Sequence, residues 1–302
     1  MSEGKITRQT FSNSQIGLQT SSKSEPKNVR GVSDIISESE KSFATSMLGM
    51  KNDPVLISEV CKLPSKGLLY GNALGDSIEL RAMTTIEERM RLSGENFWST
   101  MSNIMNRCLV NSDFDCKNLA DFDFFAALVK LRIITYGNIY KTRATCLSCG
   151  KSQDIDANLD LLTTKELPDD FVEPVEIGPL PKSGDVLGIR FLRVFDHIDI
   201  LNQINEYNKS NKKNDTGNPA YTLEMEKMLV TVNGVELDSF AKKTYIEKMV
   251  GMDSSYFHHK AEDLFYGINR IGINKCEDED CGGMVPYQIA PDEQFFRTSF
   301  DD

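Results

Sequence analysis

The most regular run of apolar positions lies in residues 119–136, where Phe124, Leu128 and Leu131 recur at i, i+4 and i+7 beside Phe125 and Val129. That spacing predicts a helix whose broad apolar face turns to the core, with Gly137 ending it. Upstream, Ile78-Glu79-Leu80-Arg81 alternates like a strand. Thr84 or Thr85, with Glu87 or Glu88 three residues on, predicts a capping box, in which hydroxyl and carboxylate satisfy the free N–H groups of a helix start. Ser93-Gly94 predicts a break before a second helix through Trp98, Met101, Met105 and Leu109. Before the strand, Pro64, Gly67 and Gly71 punctuate a tight turn over residues 63–71.

Beyond Gly137, residues 138–145 read as a strand. A linker-like stretch with Pro168, Pro174, Pro179 and Pro181 follows, then a strand over 187–194 and a short helix over 196–207. Residues 208–219, rich in Asn, Lys and Gly, predict an exposed loop. A helix over 221–229 leads to Asn233-Gly234 between β-favouring residues, a hairpin signal. Two helices are expected next: one over 239–250 that stops at Gly251, and one capped near Asp253 or Ser254 that ends at Gly272. The expected fold class is α+β, several helices with short strands and hairpins. Residues 55–302 form the α+β domain. Residues 1–54, with eleven serines among the first fifty residues, read as a flexible Ser-rich arm unable to bury enough apolar surface to offset its ordering entropy. Such an arm is either a disordered tail or one that orders along a neighbouring subunit, with Ile35-Ile36 and residues 43–48 as anchors.

Charge and composition narrow the function. The 302 residues carry a formal net charge of -11. This opposes binding to duplex nucleic acid, whose phosphates demand clustered Lys and Arg, and favours protein partners. No run approaches the ~20 apolar residues of a membrane helix, and the first residues lack a signal-like apolar stretch, so neither insertion nor secretion is expected. Seven cysteines suit a reducing compartment and a metal site better than a disulfide framework.

Four of those cysteines carry the candidate chemistry. Cys146-Leu147-Ser148-Cys149-Gly150 is a knuckle, whose tight turn aims two sulfurs at one point while glycine takes up the unusual backbone conformation. Cys276 and Cys281, followed by Gly282 and Gly283, form a looser version with four acidic residues between the thiols. Each pair follows a glycine-terminated helix and a short extended segment. One structural Zn2+ held by Cys146, Cys149, Cys276 and Cys281 is expected, a split zinc-ribbon-like site joining the middle and C-terminal parts. Unliganded thiols and a disulfide or redox pair are the alternatives. A site filled by four thiolates has no open position for water, so the ion would staple rather than catalyse. His258 and His259 read as ordinary helix residues, the acidic loop as solvated surface, and Cys61, Cys108 and Cys116 as small apolar residues of the core. There is no phosphate-binding loop, dinucleotide fingerprint or nucleophile elbow. No catalytic residues and no small-molecule substrate are expected.

The turn Leu63-Pro64-Ser65-Lys66-Gly67, the run Leu80-Arg81-Ala82-Met83-Thr84-Thr85 leading into Glu87-Glu88, and Leu131-Arg132-Ile133-Ile134-Thr135-Tyr136-Gly137 ahead of Cys146 resemble baseplate hub assembly proteins of T-even-type contractile-tailed bacteriophages. The resemblance spans residues 55–300 or so. It implies a non-enzymatic structural or assembly protein of the tail baseplate, in or on its central hub, with other baseplate or hub proteins as partners. It also implies a location in the virion tail baseplate and, during assembly, in the host cytoplasm. A zinc-ribbon module for nucleic acid or transcription is the second reading; Lys141, Arg143, Lys151 and Lys275 are its candidate basic face. A metalloenzyme would require one cysteine to leave the zinc shell.

Overall fold

The chain from Ser58–Lys62 (β1) to Ser77–Arg81 (β2) doubles back through the expected turn, and the two strands pair antiparallel with Cys61 opposite Ile78. These contacts come from a computed structural model, which describes residues 57–94, 96–210, 217–291 and 295–296. The arm expected over residues 1–54 lies outside the described residues. Helix Thr85–Ser93 (α1) starts at the capping box, and the pair that forms it is Thr84 with Glu87. Phe97–Cys108 (α2) follows the break at Gly94.

Helix Asp121–Tyr136 (α3) supplies much of the main apolar core. The expected apolar face is buried, and so is the rest of its first half: every residue from Phe122 to Val129 is buried. Burial all round forces its polar residues to find partners. Asp123 accepts the N–H of Ser65 at 2.9 Å and the hydroxyl of Tyr70 at 2.5 Å. Arg132 donates to the carbonyls of Gly137, Phe295 and Ile139 at 2.6, 2.8 and 3.0 Å. Phe295 and Phe296 thereby join the core made by α3, β1, β2 and α2.

After Gly137, Ile139–Thr145 (β3) and Ser152–Asn158 (β4) form a long hairpin. The stretch expected to behave as a linker is instead part of the fold. It holds Thr164–Lys165 (β5) and Val175–Ile177 (β6), and its Leu167, Ile177 and Leu180 are buried, because the prolines shape turns between short pieces that pair elsewhere. The strand expected over 187–194 is only Leu187–Ile189 (β7). The following helix, Val194–Ser210 (α4), begins two residues earlier than expected and runs into the segment expected to be an exposed loop over 208–219. Its start is fixed by Asp196, which accepts the N–H of Arg193 at 2.8 Å and a two-pronged ion pair from Arg190 at 2.8 Å. Residues 211–216 of the expected loop lie outside the described residues.

Ala220–Met228 (α5) passes into Leu229–Val232 (β8) and Val235–Glu236 (β9), joined by the predicted Asn233-Gly234 turn with φ of 50° and 76°. Strands β6, β7, β8 and β9 make one antiparallel sheet in that order. Ser239–Lys248 (α6) and Gly251–Asp263 (α7) cover it, with Ile246 and Phe257 in a second apolar cluster beside Leu187 and Leu229. Three expectations fail here. Gly251 opens α7 instead of closing α6. Asp253 does not cap a helix, because its buried carboxylate accepts the N–H groups of Lys182 and Ser183 at 2.7 and 3.0 Å. The helix ends at Asp263 rather than near Gly272, leaving room for Gly267–Ile268 (β10), which pairs with β5. Ile271–Lys275 (β11) and Met284–Gln288 (β12), the last strands among the described residues, form a hairpin.

Candidate metal centre

The two cysteine pairs sit at the tips of two hairpins, one on β3–β4 and one on β11–β12. At the first tip, Cys146 donates its N–H to the carbonyl of Lys151 at 2.9 Å and Gly150 donates back to the carbonyl of Cys146 at 3.0 Å. The N–H of Ser148 points at the Cys146 sulfur at 3.4 Å. At the second tip, Cys276 donates to the carbonyl of Gly283 and Cys281 to that of Asp278, each at 3.0 Å. Asp278 also accepts the N–H of Asp280 and pairs with Lys151 across the junction. The remaining acidic residues of the loop, Glu277, Glu279 and Asp280, face solvent.

The tips meet closely enough for all four Sγ atoms to lie within 4.8 Å of one another. Cys146 and Cys281 are 3.7 Å apart, as are Cys149 and Cys276. A sulfur–sulfur bond is ~2.05 Å long, so these are free thiols and not disulfides. Four thiolates around a tetrahedral Zn2+ at ~2.3 Å would stand about 3.8 Å apart. The donor type, number and spacing therefore fit such an ion. Cys146 is buried, Cys276 and Cys281 are half-buried and Cys149 is exposed. Backbone N–H groups of Cys149 and Ser148 hold the Cys146 thiol down to about 6. At Cys276 the N–H of Asp278 pulls the same way, but desolvation and the neighbouring sulfurs outweigh it and lift the thiol to about 12. Four thiolates at this distance repel one another, and a cation is what allows all four to ionise.

Gln153, which sequence reading passed over, and Gly283, read there only as part of the second loop, bring the tips together. Gln153 lies on the inward face of β4 beside Ile155 and Ala157, and its side-chain amide reaches the other hairpin, donating to the carbonyl of Lys275 and accepting the N–H of Glu277, both at 3.0 Å. A polar amide at an inward position of an alternating strand was the available signal. Gly283 is the second: a Cβ there would lie 2.7 Å from the Cys146 sulfur, so only glycine lets the second loop press onto the first. Beneath the sulfurs, Ile155 and Val285 form a small apolar floor.

The other candidates are placed elsewhere. Cys61, Cys108 and Cys116 are buried in the main core, where desolvation pushes each thiol up to about 12. His258 and His259 lie on α7; His258 stacks on Tyr221 at 3.9 Å, and neither belongs to the thiol cluster.

Fold and site together define a mixed helix-and-strand protein with small antiparallel sheets, two of which, the β3–β4 and β11–β12 hairpins, meet at a four-cysteine cluster. The chain belongs to the family described as T4 bacteriophage base plate protein, which it matches over residues 57–282, from the start of β1 through the last of the four cysteines. Comparison with curated proteins and with solved structures gives no match.

Proposed function

We propose that the chain is a non-enzymatic structural or assembly protein of the central hub of the tail baseplate, stapled by one zinc ion on Cys146, Cys149, Cys276 and Cys281. The observation that carries the staple is the pair of 3.7 Å sulfur separations, the edge length of a four-thiolate tetrahedron. The ion supplies a crosslink between two hairpins and no open coordination position. Family membership supports the baseplate role. Other baseplate or hub proteins are the partners, met in the virion tail and in the host cytoplasm during assembly, and the arm over residues 1–54 contributes to those contacts. The nucleic-acid reading loses support because Arg143 is paired with Asp154 at 2.8 Å and Lys151 with Asp278.

X-ray absorption at the zinc edge tests the metal directly. One ion per chain with four sulfur neighbours at about 2.3 Å is expected; a mixed sulfur, nitrogen and oxygen shell would revive catalysis. Mass spectrometry of purified tails and baseplate intermediates tests the role, and absence from both would refute it.

A further inference from the structure

A second feature lies away from the thiols, on the four-stranded sheet and its covering helices. Between α6, the 182–185 turn and the end of β8 runs an open groove of about 780 Å3. Its apolar lining is in part exposed: Phe240 is 80% accessible and Val250 is 51% accessible, and the half-buried Leu237 and Met249 line it as well. The apolar patch is small, so the groove is read from its charges as well as from its apolar side chains.

The charges around the groove are not balanced. Asp253 spends both carboxylate oxygens on the backbone of Lys182 and Ser183, and Asp185 spends its own on the side chains of Asn233 and Tyr245 at 2.8 and 2.7 Å. Lys182 and Lys248 also line the groove, and among the described residues neither ammonium has an ion pair or a side-chain hydrogen bond. The groove therefore presents an apolar floor with two uncommitted positive charges, on a chain whose net charge is -11. A second copy of so acidic a chain is repelled overall, whereas a local acidic and apolar segment finds both kinds of contact.

We propose that this groove docks a segment of a different baseplate protein in which large apolar side chains are bracketed by Asp or Glu. The apolar anchors cover Phe240 and Val250, and the carboxylates meet Lys182 and Lys248. The proposal rests on the baseplate reading above but not on the zinc.

The test uses the full chain carrying Phe240→p-benzoylphenylalanine, expressed in phage-infected cells, irradiated, and analysed by sequencing the crosslinked peptides. Phe240 is so exposed that its replacement leaves the core untouched. The expected product joins residue 240 to an apolar segment with flanking Asp or Glu in another baseplate protein. Adding Lys182→Glu and Lys248→Glu should lower its yield roughly fivefold, with the thermal melt unchanged. A crosslink to a second copy, a crosslink to a basic segment, an undiminished yield in the charge-reversed chain, or no crosslink while the protein still co-purifies with baseplates would each overturn the docking proposal alone. Absence of the chain from tails and intermediates would overturn the baseplate reading and the docking with it.

Discussion

Glu87 shows how much one residue can hold. Its side chain is 1% exposed and accepts from the Thr84 backbone at 2.9 Å, the Thr84 hydroxyl at 2.5 Å, and the guanidinium groups of Arg81 and Arg107 at 3.0 Å. Burial raises the carboxyl pKa, but the bonds from Arg81, Thr84 and Arg107 outweigh it and hold the group far below the usual carboxylate range. Because the folded value is depressed, the stabilisation is fully present above the unfolded value of ~4.3 and is lost as pH falls through the folded one. Resistance to urea should therefore fall progressively below about pH 4. Glu87→Gln should cost about 2–4 kcal/mol at pH 7 and flatten that acid dependence, read from midpoints at pH 7 and pH 3. The cap itself was legible in sequence, since Thr84 and Glu87 are three residues apart. The arginines were not, and neither was Gln153, whose partners lie 122 and 124 residues away.

Among the elements, those specified by neighbouring residues were read correctly: α1, α2, α3 and the Asn233-Gly234 hairpin all follow from spacing within one segment. The misread ones depend on distant contacts. Strand β6 is three residues long and has no signature of its own; it exists because β7 pairs with it. Helix α7 stops at Asp263 because Gly267 must reach Phe122, where even a Cβ would come within 2.8 Å. The thiol cluster joins β3–β4 to β11–β12 and touches neither β6–β9 nor α5–α7. Chelation should accordingly speed amide exchange in 139–158 and 271–288, while protection in β7, β8 and α7 stays unchanged. Uniform loss of protection would mean that the cluster supports the whole fold.

At the scale of the molecule, four cysteines were identifiable from their spacing, but their meeting was a matter of topology. If the pairs share one ion, Cys146→Ser and Cys276→Ser should release zinc equally and lower the melting temperature by similar amounts. Unequal effects, measured by metal analysis and calorimetry, would separate the two tips. The separation has a further consequence during synthesis. Cys149 and Cys276 are 127 positions apart, and Phe295, which takes a bond from Arg132, comes later still. At ~5–20 residues per second, the first two thiols wait roughly 6–25 s for their counterparts. A polypeptide released before Cys276 keeps half of the thiol cluster and an unanswered Gln153. Closing the cluster thus reports that synthesis has passed Cys281, and only such chains acquire the closed pair of hairpins.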